Sequence, residues 1–340
     1  MPIVAIYTNR ESEQWILDSN TNAEEKGVIN LAQSQGPWLE LKRQFEKKGW
    51  KVVTWLEVLE SRIKPDFVIY VNMPIIPIFI FKIMIRHNFS TALMLSFEPP
   101  NISPWGYWSF FHRQFDVLFR WDTCVKLLHP VSFDFSNRPR KTNDKEGFAL
   151  MVAANKPSNH PRSLQNNRED VINWFENNNN SKFDLYGMGW QRRVSKYKAI
   201  RVFLRMLNIK PKDAKSKLKV FKGAADDKWQ LMSKYKFVFS FENSNYPFYV
   251  SEKLFDVIYA HSVPVYLGAP NIQSMVDKSL YIDYRDFKDM NKLFDYLENM
   301  SEEKYSEYIC AADNYFDSNE FKKFSNKTFA NIIVENIIKP

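Results

Sequence analysis

Two acids and two cations stand where this chain could take a proton and hold an anion. Glu98 follows the apolar run Ala92 to Phe97 and precedes Pro99 and Pro100. A carboxylate at the carboxyl end of a strand, stiffened by prolines, is well placed for a ligand crevice. Partial burial raises its pKa toward the range of a general base. On the residues alone, a capping carboxylate before a loop is the better reading of Glu98. Lys253 follows Ser251 and Glu252 in the first turn of a helix. A lysine there opposes the helix dipole, and an anion explains the misfit better than solvation does. A helix amino terminus with a lysine beside it suits a diphosphate. Arg168 opens another helix, and its guanidinium can fork two phosphate oxygens. Arg162, close in sequence, competes for that role, but an exposed helix-end charge explains it better.

Regular elements must position these groups. Phe237, Val238, Phe239 and Phe241 read as a buried strand ending at Glu242 and Asn243. A turn with Asn245 and Pro247 follows, and a helix is expected from about Tyr249, with Val250, Leu254, Val257 and Ile258 on one face. Val263 to Leu267 reads as the next strand, stopping at Gly268. Strands are expected at Pro2–Thr8, Val52–Trp55, Asp66–Val71, Ala92–Phe97 and Val117–Trp121, with a helix opened by Pro37 and closed by Gly49. After the polar stretch Asn137 to Gly147 a second series follows: strands at Phe148–Ala153 and Phe183–Tyr186, helices at Asn167–Asn178 and Asp226–Met232, a short strand at Leu280–Tyr284, and a helical tail from about Lys288. Strands alternating with helices imply parallel sheets covered on both faces, here in two α/β domains, residues 1–140 and 147–340. Gly187 and Gly189 follow a strand, where a backbone can approach a nucleotide.

The segment Phe237 to Asn271 resembles the signature of the α1,3/4-fucosyltransferase family. That signature runs F-E-N-S, a short gap, Y-V-T-E-K, then V-P-V and G-x-x-N. This chain has Phe241-Glu242-Asn243-Ser244, Tyr249-Val250-Ser251-Glu252-Lys253, Val263-Pro264-Val265 and Gly268-Ala269-Pro270-Asn271. Ser251 stands for the usual threonine and keeps a hydroxyl. Phe248 stands where a small or acidic residue is common. Phe97-Glu98-Pro99-Pro100 looks like the family's setting for its base, and Asp184-Leu185-Tyr186-Gly187 resembles its D-x-Y-G segment before the donor pocket.

The resemblance implies two Rossmann-like domains facing across a cleft, the GT-B architecture, with the first binding acceptor and the second binding donor. It implies an inverting glycosyltransferase of the hexosyltransferase class, moving L-fucose from GDP-fucose to a glycan hydroxyl in an α1,3-type linkage. Glu98 is then the base, and Glu252 the carboxylate that contacts fucose and steadies positive charge. Arg168 and Lys253 bind the diphosphate. Asn243 and Tyr249 join the donor site, although a core role for Tyr249 stays open. Glu242 is either a sugar contact or a support for the turn; Ser251 and Gly187 complete the set. The alternative on the same scaffold is another nucleotide-activated sugar.

Composition bounds this reading. At 340 residues the chain is long enough for two cores. Its net charge of +8 favours anionic partners without choosing among them. A basic nucleic-acid-binding protein is the rival from another class, yet no recognition motif or dense basic stripe is present. Cys124 and Cys310 form no disulfide framework, and the five histidines show no ligand pairing. No convincing aspartate pair stands at a strand end, so a metal-independent reaction without cofactor is expected. Met73 to Ile85, interrupted by Pro74, Pro77 and Lys82, is too short to span a bilayer. The amino terminus lacks a signal-peptide pattern. A cytoplasmic protein is expected, with possible peripheral contact at the membrane. Lys222 and Lys228 read as solvated surface.

Overall fold

A computed structural model describes residues 1–8, 17, 31–74, 78, 80, 82, 86–95, 97–102, 104–121, 126–133, 135–142, 144–190 and 218–338. Cys124 and much of the stretch from Met73 to Ile85 lie outside these residues. The chain divides into two compact units, Met1–Asp134 with Asn319–Pro340, and Phe135–Ser318. The last residues therefore belong with the first unit rather than the second, contrary to the expected division at 147–340.

In the first unit, β1 (Ile3–Thr8), β2 (Lys51–Thr54), β3 (Phe67–Val71), β4 (Ser90–Met94) and β5 (Val117–Phe119) form one parallel sheet in the order β2-β1-β3-β4-β5. Every residue of β3 is buried, as a parallel strand covered on both faces requires. Helix α1 (Leu31–Lys47) buries Trp38, Leu41 and Phe45, and Gly49 follows it at φ +76°. Pro37 lies inside α1 rather than at its start; inside a helix a proline keeps helical φ but removes one i→i−4 bond and crowds the carbonyl four residues before it. Thr54 caps α2 (Trp55–Glu60) in a reciprocal capping box with Glu57, so Trp55 is helical rather than in the strand. The carboxyl-terminal helix Asn326–Ile337 lays Phe329, Ile333 and Val334 into the core around Trp38 and Leu41. An amphipathic helix must bury its apolar face somewhere, and this one finds it against α1.

The second unit holds a six-stranded parallel sheet: β6 (Gly147–Val152), β7 (Phe183–Tyr186), β8 (Phe221–Gly223), β9 (Tyr235–Phe241), β10 (Val263–Leu267) and β11 (Ile282–Asp283), in the order β8-β7-β6-β9-β10-β11. Counted within the unit, that is the doubly wound order 3-2-1-4-5-6. Its direction reverses between β6 and β9, and open α/β sheets bind ligands beyond the carboxyl ends of such a strand pair. Helices α3 (Gln165–Asn178), α4 (Lys228–Ser233) and α5 (Glu252–Tyr259) pack on this sheet. In α5, Leu254, Phe255, Val257 and Ile258 are all fully buried. Each such side chain contributes about 1.5–3 kcal/mol, which fixes the helix and the direction of its amino end. Helix α5 starts at Glu252, three residues later than the apolar pattern suggests, because Tyr249 and Val250 bury themselves in the preceding loop. Among the described residues no helix is long and apolar enough to cross a membrane.

Candidate active site

The end of β9 and the start of α5 are joined through one carboxylate. Glu242 is fully buried, and its two oxygens receive the Ser251 amide at 2.8 Å and the Ser251 hydroxyl at 2.6 Å. Ser251 therefore gives no side-chain cap to its own helix. Its hydroxyl oxygen also accepts Lys253 Nζ at 2.9 Å, while Nζ lies 3.3 Å from Glu252 Oε1 and 3.6 Å from Glu242 Oε2. Burial works against the lysine charge, but Glu252 and Glu242 outweigh it and hold the pKa above the ordinary lysine value. The ammonium stays charged, and 28% of the side chain is exposed to meet a ligand.

Arg168 reaches the same strand end from α3. Its Nη2 donates to the carbonyls of Phe241 at 2.5 Å and Glu242 at 2.9 Å and to Asn243 Oδ1 at 3.2 Å. Burial lowers the guanidinium's pKa, with Glu242 opposing. A pocket of about 120 Å³ opens here, walled by Arg168, Lys228, Glu252, Lys253 and Asp256 and floored by the carboxyl ends of β6 and β9. It lies at the switch point that the strand order specifies. Arg162 is exposed, stacked 4.8 Å from the Tyr246 ring and bonded to the Asn245 carbonyl, so it takes no part in the pocket.

Several expected contacts turn out to be supports. Glu242, Ser251 and Tyr249 are at most 2% exposed, so these side chains brace the pocket from behind. Gly187 sits at φ +136°, where a Cβ would fall 2.0 Å from the Ala153 carbonyl oxygen. Its close approach is to the end of β6, not to open space for a nucleotide. Gly268 is needed for a similar reason, since a Cβ would meet the Tyr266 hydroxyl at 2.2 Å and Glu242 Cγ at 2.6 Å. Phe248 adopts φ +63°, a costly conformation for a bulky residue, and Asn271 Oδ1 accepts its amide at 2.8 Å. The last residue of the G-x-x-N pattern thus clamps the loop before α5.

In the first unit, β4 ends at Met94, and Glu98 lies in a bend four residues beyond. The expected strand to Phe97 stops early because Phe97 turns into an aromatic cluster with Trp38, His129 and Phe329, at centroid distances of 5.6, 5.3 and 6.1 Å. Glu98 is half-buried, and the Tyr107 hydroxyl donates to its carbonyl at 2.7 Å. The Tyr107 hydroxyl, which also reaches the Leu95 carbonyl at 3.1 Å, and the packing of Phe97 help to fix this loop.

The sequence reading missed Lys228 and Asp256. Lys228 is not solvated surface: its side chain is 20% exposed, and its ammonium lies 2.6 Å from Asp256 Oδ2. Trp229 Nε1 donates to the other Asp256 oxygen at 2.8 Å. Burial pushes the Asp256 pKa up, and Lys228 opposes that. An acid inside the apolar run Leu254 to Ile258 was the available signal, because a buried charge must have a partner. Lys222 does lie at the surface, 3.3 Å from Asp184. Among the described residues no three His, Cys, Asp or Glu side chains gather as a metal site.

Comparison with known proteins places this geometry. The model of glycosyltransferase family 10 (fucosyltransferase) C-term matches residues 158–331. The alpha-(1,3)-fucosyltransferase FucT of Helicobacter pylori is 27% identical over 186 residues, which are 53% of this chain and 30% of that protein. The alpha-(1,4)-fucosyltransferase of Arabidopsis thaliana is 40% identical over 91 residues, 25% of this chain and 23% of that protein. The matched region thus spans less than a third of either curated relative. Among solved structures, an alpha1,3-fucosyltransferase with GDP aligns at a TM-score of 0.56 and 15% identity, over 99% of this chain and 91% of that one. Anabaena HepE in complex with UDP and glucose aligns at 0.54 and 12%, over 99% of both chains. These two likenesses concern the fold. The family model covers half of the chain and every charged residue of the pocket, and the chain belongs to glycosyltransferase family 10, the fucosyltransferases.

Proposed function

We propose that this chain is an inverting fucosyltransferase that moves L-fucose from GDP-fucose to a hydroxyl of a glycan acceptor in an α1,3-type linkage. The observation that carries the reading is the pocket at the β6/β9 switch point. It brings Lys253 and Arg168 together with the carboxylate of Glu252. Charge that builds on a departing diphosphate is stabilised by pre-positioned cations. Positive charge developing on the sugar is matched by Glu252, whose side chain is 30% exposed. Glu242, Ser251, Asn243 and Tyr249 hold these groups in place, and Gly187 lets β7 close against β6. Glu98 is the base that takes the proton from the acceptor hydroxyl. The second unit is the donor-binding unit and the first the acceptor-binding one. The cations of the pocket take the role a metal ion has elsewhere, so transfer needs no divalent metal. We place the protein in the cytoplasm, with nucleotide sugar and glycan as its partners.

A thermal-shift and calorimetric screen over GDP-fucose, GDP-mannose, UDP-glucose and free GDP tests the reading. A ligand that binds only the folded chain raises its stability by mass action. Stabilisation by GDP and GDP-fucose is expected. A response to UDP-glucose without one to GDP-fucose would assign another donor sugar, and silence toward every nucleotide would refute the reading.

A further inference from the structure

Lys253 and Lys228 are built alike. Each ammonium stands at the pocket wall with a buried carboxylate near it. Lys253 lies 3.6 Å from Glu242, which is fully buried, and Lys228 lies 2.6 Å from Asp256, whose side chain is 3% exposed. Each acid is itself pinned by neutral donors, Glu242 by Ser251 and Asp256 by Trp229. The two cations come from different elements, α5 and α4, and both line the one pocket with Arg168.

A buried ion pair that only clamped two helices is a poor stabiliser. Taking both charges out of water costs about as much as their attraction returns. Lys228 is not fully withdrawn, however. A fifth of its side chain stays exposed, whereas Asp256 is almost entirely enclosed. That asymmetry suits an ammonium held by its acid and offered to something else. Asp256 also lies one turn after Glu252 on α5, so the acid that holds Lys228 and the carboxylate proposed to face the sugar share a helix face. Arg168 already commits Nη2 to three protein oxygens. A diphosphate bearing two or three negative charges then calls for more cationic contact than Lys253 and so constrained a guanidinium provide.

We propose that Lys228 is a second phosphate-binding lysine of the pocket, presented by Asp256 as Lys253 is presented by Glu242. This rests on the reading of the pocket as a nucleoside diphosphate site. Lys228 contributes a charge-assisted hydrogen bond to a phosphate oxygen, and Asp256 is the positioning residue. Both lysines then share the charge that the leaving diphosphate gathers.

The test is calorimetric titration of GDP and of guanosine into the full chain, as wild type, Lys228→Gln and Lys228→Arg. Loss of one charged hydrogen bond weakens GDP binding about tenfold or more in Lys228→Gln. Guanosine affinity should hold, and Lys228→Arg should recover most of the loss, since its guanidinium can also reach phosphate. Unchanged GDP affinity in a folded Lys228→Gln chain overturns the proposal, as does an equal loss for GDP and guanosine, which marks a general distortion. Lys228→Gln leaves Asp256 buried without its cation and risks misfolding. The double variant Lys228→Met with Asp256→Leu replaces the pair by apolar groups and decides the matter in that case, with the same loss of GDP expected and its absence fatal to the idea. A wild-type chain that binds no GDP refutes the functional reading and this proposal with it. A wild type that binds GDP beside a Lys228→Gln chain that binds it equally well refutes the proposal alone.

Discussion

Glu242 receives Ser251 twice, through its amide at 2.8 Å and its hydroxyl at 2.6 Å, and so locks the end of β9 to the start of α5. The pair explains why a hydroxyl residue follows Tyr249-Val250. Among the described residues, Ser251→Ala leaves Glu242 Oε2 the more distant Lys253 ammonium. An unsatisfied buried acceptor costs about 1–3 kcal/mol, and urea unfolding should show a loss of that size. Ser251→Thr keeps the bond and should fold nearly as well as wild type. Equal stability of the alanine variant would show that the hydroxyl bond has little weight.

Lys253→Ala should weaken GDP binding. The ammonium is charged, partly exposed and fixed by Ser251 and Glu252. A charged hydrogen bond is worth roughly 1.5–3 kcal/mol, a loss readily seen by calorimetry. Unchanged affinity in a folded chain would remove Lys253 from the site.

Stability should fall on the acid side through His261. Burial, then the charge of Arg138, lowers its pKa to about 4, with Asp313 opposing and Lys145 and Lys141 adding to the repulsion. The folded value lies below the unfolded value near 6.5, so the folded state binds fewer protons between the two. Stability therefore rises with pH across that window and is lost as pH falls through it. The span corresponds to about 3 kcal/mol. His261 sits at φ +55°, a conformation asparagine tolerates. In His261→Asn, a series of urea melts from pH 7 to 4 should give a flatter profile than wild type. An equally steep one would assign the acid sensitivity elsewhere.

Much of the second unit was legible in the sequence because its strands are mostly apolar runs, as in Phe237, Val238, Phe239 and Phe241, closed by polar residues or glycine. Strand β8 was missed: it has three residues, none of them fully buried. The end of β4 falls short of the expected Phe97 because Phe97 is apolar for a different reason, packing on Trp38 and Phe329 rather than continuing the sheet. The site divides in the same way. Lys253 betrayed itself by opposing a helix dipole. Lys228 looked ordinary, because only its pairing with a distant acid, Asp256, marks it. Asp256 within its apolar run signals a buried acid that needs a cation, but nothing local to Lys228 names it as that cation.

Transfer should survive chelation. Arg168, Lys253 and Lys228 supply positive charge to the pocket. Activity after EDTA treatment should match the untreated enzyme, measured as release of GDP in the presence of acceptor. Activity that disappears with EDTA and returns with manganese would place a metal ion in the reaction.

Glu98→Gln should reduce transfer strongly while leaving GDP binding as it is. The amide keeps the size of the side chain but cannot take the acceptor's proton. General-base catalysis contributes about 10²–10⁴-fold, and the loss should fall in that range. Fold stability should change little. The hydrogen bond from the Tyr107 hydroxyl goes to the Glu98 backbone carbonyl, not its carboxylate, and the loop is anchored by Phe97 in its aromatic cluster. The substitution leaves these two contacts in place, and a urea melt of the variant measures whether stability is kept. Wild-type rates in the glutamine variant would make Glu98 a structural residue and send the search for the base elsewhere. A fall in GDP affinity as large as the fall in transfer would assign Glu98 to donor binding instead.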